Sequence, residues 1–243
     1  MRPEYSSNAT LISQRHFSRC PENTWLTFGT LTLGLLVMWS TAAPASLLDD
    51  ELMKALTLTP NIENGKGLYG LCRECHKKHG HGSKTGLVPQ LAGQHREILI
   101  RQLAEFRAGI RPSEDMETVT EEGEMGEPQD IADLIGYIAT LPLTKKPRLG
   151  PGIDLDLGAE LYRKKCADCH GETGHGDAVQ GIPRIGGQHY PYMIKQLLAF
   201  RDNVRTTPTT KMVTRLKDLS EDELSSIADH VARLKAIAPS ENQ

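Results

Sequence analysis

Aromatic residues are scarce, at 5% of 243 residues, and no segment alternates apolar and polar side chains as a half-buried strand does. The basic residues form no run, and the net charge is −3, so nothing in the composition points to a nucleic-acid partner. Small domains with so few large side chains usually need a staple or a cofactor to fill the core. The sequence therefore predicts a mostly helical protein whose small domains are stabilised by a staple or a cofactor.

The first 45 residues differ in kind from the rest. They contain an uncharged apolar run from Trp25 to Trp39, small residues around Ala43 and Ala45, and, before the run, three arginines at positions 2, 15 and 19. We interpret residues 1–45 as a secretory signal cleaved after Ala43 or Ala45, which predicts a periplasmic protein, soluble or loosely membrane-associated. The alternative is an uncleaved anchor, because residues 25–45 approach the roughly 20 residues of a membrane helix.

Two Cys-x-x-Cys-His motifs follow, at Cys72-Cys75-His76 and Cys166-Cys169-His170. This motif is typical of c-type haem attachment, in which both thiols bond to the vinyl groups of one haem and the histidine ligates its iron. A zinc site would have to combine cysteine pairs that lie 94 residues apart. A thioredoxin-like redox pair would need a βαβ context, which the sequence lacks. The motifs predict two covalent haem c groups.

The motifs belong to an internal repeat. Residues 72–111 align without a gap on residues 166–205, with identity at 16 of 40 positions, including the runs Gly93-Gln94-His95 and Gly187-Gln188-His189. We expect a first domain at 46–141, a proline-rich linker at 142–156, a second domain at 157–238 and a tail at 239–243.

Each copy has a helical apolar pattern. A long helix after His95 or His189 is predicted by two stripes of four residues at steps of four, three and four: Leu99, Leu103, Phe106 and Ile110, and Met193, Leu197, Phe200 and Val204. A closing helix ends each copy. In the second copy Ser220 and Glu223 predict a capping box at its start.

The sixth iron ligand separates an electron carrier from a catalyst, because a methionine thioether fills the open position. In the second copy Met212 lies 42 residues after His170. In the first copy Met116 lies 40 residues and Met125 49 residues after His76, and we prefer Met116. His95 and His189 are alternatives, although a cap or hydrogen bond near a helix start is the interpretation we favour for both.

The combined pattern resembles the tandem dihaem class I cytochromes of the cytochrome c4 family. It comprises Cys-x-x-Cys-His, a glycine-rich loop, Pro-x-Leu/Ile-x-Gly-Gln-His, Gln-Leu-x-x-Phe-Arg and a later methionine, in both copies from about Gly65 to Leu234. The resemblance implies an all-α fold of two tandem cytochrome c-type domains, each wrapped around one covalently bound haem, with a pseudo-twofold axis between them. It also implies axial pairs His76–Met116 and His170–Met212.

The predicted function is single-electron transfer between respiratory donors and a terminal oxidase or other acceptor, without catalysis. The alternatives are a dihaem oxidoreductase of the peroxidase or thiosulfate-oxidising type, or an anchored electron-transfer subunit of a membrane respiratory complex. Redox proteins are the expected partners. A basic one is favoured at loop 114–127, which has seven acids and no lysine or arginine: Glu114, Asp115, Glu117, Glu121, Glu122, Glu124 and Glu127.

Overall fold

The computed structural model describes residues 50–121, 123–205 and 211–235, which all belong to one compact unit. The predicted signal 1–45 and the tail 239–243 lie outside the described residues. The first copy contains six helices within this range: α1 Asp50–Thr57, α2 Ile62–Leu68, α3 Gly70–His76, α4 Arg96–Arg107, α5 Glu114–Val119 and α6 Pro128–Thr140. The second contains five: α7 Leu155–Lys165, α8 Ala167–His170, α9 Tyr190–Arg201, α10 Lys211–Leu216 and α11 Glu221–Arg233. The only β pairing in the described ranges is an isolated bridge between Asp177 and Ile182.

Each copy has its own apolar core, and in each copy the helix before the haem motif, α2 or α7, crosses the closing helix, α6 or α11. A glycine permits each crossing, since an added Cβ at Gly65 of α2 would lie 1.9 Å from the carbonyl oxygen of Asp133 in α6. At Gly158 of α7 it would lie 2.3 Å from the carbonyl oxygen of Ser226 in α11. Backbone contact at both positions excludes any larger side chain.

The predicted capping box at the start of α11 is confirmed. The Ser220 hydroxyl accepts from the Glu223 N–H at 3.2 Å, and the Glu223 carboxylate accepts from the Ser220 N–H at 2.8 Å. The predicted stripe of α9 is wrong at its last member, because the helix ends at Arg201 and Val204 is 60% exposed. Asn203 has a positive φ of 56°, so the chain has already left the helical direction there.

The linker is held to both copies by hydrogen bonds from its backbone. Thr144 N–H donates to the Gln90 side chain at 2.6 Å, whereas Gly150 and Gly152 N–H groups donate to the Asp229 carboxylate at 2.9 and 2.6 Å. The last two residues of the predicted linker, 155 and 156, belong to α7.

Helix α1 precedes the repeated region and packs on α4 and α6. The Arg96 guanidinium fixes its end by donating to the carbonyls of Ala55, Leu56 and Leu58 at 2.6 to 3.2 Å. Arg107 pairs with Glu51 at 2.9 Å. The bonds from Arg96 satisfy carbonyl groups that the end of a helix leaves without internal partners.

Candidate haem sites and the interface between the copies

Each copy presents its two motif cysteines in the same way, and within the described residues none of the four forms a disulfide. Cys72 and Cys166 are half-buried and pack against the cores of their own copies, whereas Cys75 and Cys169 are exposed. Burial raises the pKa of the Cys72 and Cys166 thiols to about 11. Each pair therefore offers one thiol at the core and one at the surface, at the end of a short helix.

The motif histidines are buried and oriented by a carbonyl. The Nδ1–H of His76 donates to the Pro89 carbonyl at 2.9 Å, and that of His170 donates to the Pro183 carbonyl at 3.0 Å. Burial lowers the pKa of both rings, so both are held neutral. A neutral ring with its proton on Nδ1 has the Nε2 lone pair free, which is the form that binds iron. Two thiols and such a histidine in each copy fit a covalently attached haem.

Met116 and Met212 lie on equivalent short helices, α5 and α10, between the long helix and the closing helix of their copies. Both side chains are half-buried. Thr120 and Leu216, each four residues later, are both fully buried, which fixes the correspondence between the two segments.

Met125 occupies a different environment from Met116. It is 7% exposed within the first core, two residues before the residue that caps α6. Leu219, which follows Met125 by the 94 residues that separate the two copies of the repeat, is also 7% exposed, lies one residue before the cap of α11 and belongs to the second core. Met125 is thus the packing counterpart of a leucine.

A reciprocal set of hydrogen bonds joins the two copies through their repeated glutamines. The Gln188 side chain accepts from the Gln90 N–H and donates to the Gln90 carbonyl, both at 2.9 Å. The Gln94 side chain accepts from the Arg184 N–H at 3.0 Å and donates to the Arg184 carbonyl at 2.9 Å. Each side-chain amide thus pairs with both the N–H and the carbonyl of one residue in the opposite copy, as a neighbouring β-strand would.

His95 and His189 continue this interface. Their Nε2–H groups donate to the carbonyls of His175 and His81 of the opposite copy, at 2.8 and 2.6 Å. Neither side chain caps its helix in the described structure, and both hydrogen-bond near the helix start, which confirms that form of the favoured interpretation. The identity of Gly-Gln-His in both copies was the available signal for an interface.

A buried charged cluster beside α4 and α9 was not foreseen from the sequence. The Arg205 guanidinium pairs with Glu105 of the first copy at 2.8 Å, and Arg101 approaches the same carboxylate at 3.4 Å. Arg111 hydrogen-bonds to the Tyr192 hydroxyl across the interface. Arg111 and Arg205 also stack over Phe106 and Phe200, each 4.5 Å from the ring centroid.

None of the helices in the described ranges combines the length and the hydropathy that a membrane-spanning segment needs.

Comparison with known proteins gives matches along both copies. A protein-family model described as cytochrome c matches residues 62–142 and 155–235. Cytochrome c4 of Stutzerimonas stutzeri is 30% identical over 192 residues, covering 72% of this chain and 89% of that protein. The crystal structure of reduced recombinant cytochrome c4 from Pseudomonas stutzeri has a TM-score of 0.63 and 27% identity, covering 73% of this chain and 100% of that one. A thiosulfate dehydrogenase (TsdBA) structure from Marichromatium purpuratum has a TM-score of 0.62 and 27% identity, covering 71% of this chain and 40% of that one.

Proposed function

Because this chain belongs to the cytochrome c4 family of dihaem electron carriers, with two covalently bound haem c groups, we propose that it shuttles single electrons in the periplasm. The haems attach through Cys72 and Cys75 in the first copy, and through Cys166 and Cys169 in the second. The observation that carries the proposal is the repeated histidine geometry. Both motif histidines donate from Nδ1 to a proline carbonyl, which leaves the Nε2 lone pair free to bind a haem iron.

His76 and Met116 would hold the iron of the first haem, and His170 and Met212 would hold that of the second. The equivalent positions of α5 and α10 support the methionine pair. Met125 serves as core, because its burial matches that of Leu219. A thioether at the sixth position raises the reduction potential and leaves no site for a substrate, which suits a carrier.

Partner recognition uses the acidic face of the first copy, defined here as Glu114, Asp115, Glu121 and Glu124. All four carboxylates are exposed. Such a face attracts a basic redox partner at a rate that depends on salt.

The likeness to a thiosulfate dehydrogenase structure favours one particular donor as a second candidate. A thiosulfate-oxidising enzyme would then deliver electrons to this chain. The chain itself would remain a carrier, because Met116 and Met212 would leave the two irons no position for a substrate.

The test combines haem content, redox cycling and turnover on protein exported with both haems. We expect two haems per chain, reversible one-electron reduction of each, and no consumption of hydrogen peroxide or thiosulfate by the chain alone. Turnover of either substrate would reject the carrier. N-terminal sequencing of the mature protein tests export, with a first residue of Pro44 or Ser46 as the expected result and an intact N-terminus as the contrary one.

A further inference from the structure

One peptide group connects the first motif histidine to the opposite copy. The carbonyl of the Pro89–Gln90 peptide accepts from His76 Nδ1–H at 2.9 Å. The N–H of the same peptide donates to the Gln188 side-chain oxygen at 2.9 Å. Gln188 belongs to the second copy, so a side chain of one copy acts on the bond that orients the histidine of the other.

The second copy contains the equivalent arrangement. The carbonyl of the Pro183–Arg184 peptide accepts from His170 Nδ1–H at 3.0 Å. Its N–H donates to the Gln94 side-chain oxygen of the first copy, also at 3.0 Å. We call each such path, from a glutamine side chain through a peptide group to a motif histidine, a relay. The two relays therefore cross the interface in opposite directions.

Both relays lie in surroundings that strengthen them. Gln90, Arg184 and Gln188 are at most 9% exposed and Gln94 is half-buried, so water screens the first relay little and the second somewhat more. Each glutamine also donates to the carbonyl of the residue whose N–H it receives, which fixes its amide by two bonds. The relays are thus held in one geometry.

Polarisation gives the relay a direction. A peptide that donates through N–H gains negative charge on its carbonyl oxygen, by a cooperative strengthening of roughly 10–30% per bond. A stronger carbonyl acceptor pulls harder on the histidine Nδ1–H and makes the ring a more basic ligand. A more basic ligand favours ferric iron and lowers the reduction potential.

We infer that Gln188 is a positioning residue for His76, and Gln94 for His170, so that each copy tunes the reduction potential of the other copy's haem. The inference rests on the proposed function, in which these histidines are the proximal ligands. It requires crossed effects, which a simple structural role does not produce.

The test is a redox titration of Gln188→Leu and Gln94→Leu in the two-haem protein, with each haem followed by its own NMR resonances. In Q188L the first haem should show about a threefold higher ratio of ferrous to ferric iron at a fixed potential. At about 59 mV per tenfold for one electron, this is an upward shift of about 28 mV. The reduction potential of the second haem should not change in Q188L, and Q94L should give the reverse pattern. The His76 Nδ1–H resonance should move in Q188L and that of His170 in Q94L.

His95→Leu is the matched control, because it removes the side-chain hydrogen bond to the His175 carbonyl of the other copy and keeps the backbone N–H that donates to the Gln94 side-chain oxygen. It should leave both potentials unchanged. A Q188L shift confined to the second haem, equal shifts in both haems, or no shift would overturn the inference while leaving a two-haem carrier intact. If Q188L does not retain two haems, Q94L decides by the same criteria, whereas a wild-type protein without two methionine-ligated haems would contradict the proposed function instead.

Discussion

The His189 ring binds Arg148 of the linker through a hydrogen bond. Its Nδ1 atom accepts from the backbone N–H of Arg148 at 2.9 Å. Its Nε2–H simultaneously donates to the His81 carbonyl of the first copy. Acceptance at Nδ1 requires the neutral ring, whereas Nε2–H can donate to the carbonyl in either protonation state. Burial lowers the pKa of His189, the contact with His81 through its carbonyl raises it, and the charge of the His81 ring lowers it further.

Acid should therefore weaken the contact between the linker and the His189 ring. The folded pKa of His189 lies below the unfolded value of about 6.5, so the stabilisation is complete above about pH 6.5 and is lost as pH falls toward the folded pKa. Urea unfolding between pH 8 and 5 should show a smaller loss of stability for His189→Gln than for wild type. His95→Gln, the counterpart without a linker contact in the described structure, should keep the wild-type slope, and an equal flattening in both variants would refute this assignment.

The crossing of α2 and α6 predicts opposite effects for two neighbouring glycines. Gly65→Ala should lower the free energy of unfolding by about 1–3 kcal/mol, because its Cβ would collide with the Asp133 backbone. Gly67→Ala, with open space around its Cβ, should raise it by up to about 1 kcal/mol through helix propensity. Thermal unfolding of both variants measures the contrast, and equal effects would exclude the close crossing.

The Glu105–Arg205 pair should matter because both partners are buried. Glu105→Gln leaves two guanidinium groups facing a neutral amide and should cost about 3 kcal/mol of folding stability. Glu160→Gln removes an exposed ion pair with Lys164 and should have little effect in the same denaturation experiment. A tolerated Glu105→Gln would show that the buried pair contributes specificity alone.

The acidic face predicts a salt-dependent rate with cationic reagents. In the triple variant Glu114→Gln, Asp115→Asn and Glu121→Gln, stopped-flow reduction by hexaammineruthenium(II) should be slower than in wild type at 10 mM salt. The difference should vanish near 1 M salt, where the Debye length falls to about 3 Å. A difference that persists at high salt would indicate a structural change in place of lost attraction.

The features that could be predicted from the sequence are those determined by a few consecutive residues. The Ser220 capping box depends on four consecutive residues, and each haem motif on five, so local chemistry determines both. The end of α9 at Arg201 was missed, because the positive φ of Asn203 overrides an apolar stripe that continues to Val204.

Contacts between the copies could not be derived in this way. Gln94 and Gln188 bond to backbone groups 90 and 98 residues away, and no periodicity encodes such a distance. Glu105 has no acidic counterpart in the second copy, where Ala199 stands at the matching position, so the repeat itself gave no hint of its pair with Arg205. Both features required the three-dimensional arrangement.

The near-infrared spectrum of the ferric protein tests the account most directly, because each methionine-ligated haem gives a weak sulfur-to-iron charge-transfer band. Divided by haem content, the band should correspond to two methionine ligands per chain. Met116→Leu and Met212→Leu should each remove half of it, whereas Met125→Leu should remove none. A wild-type band worth one haem or less, or its halving in Met125→Leu, would contradict the account.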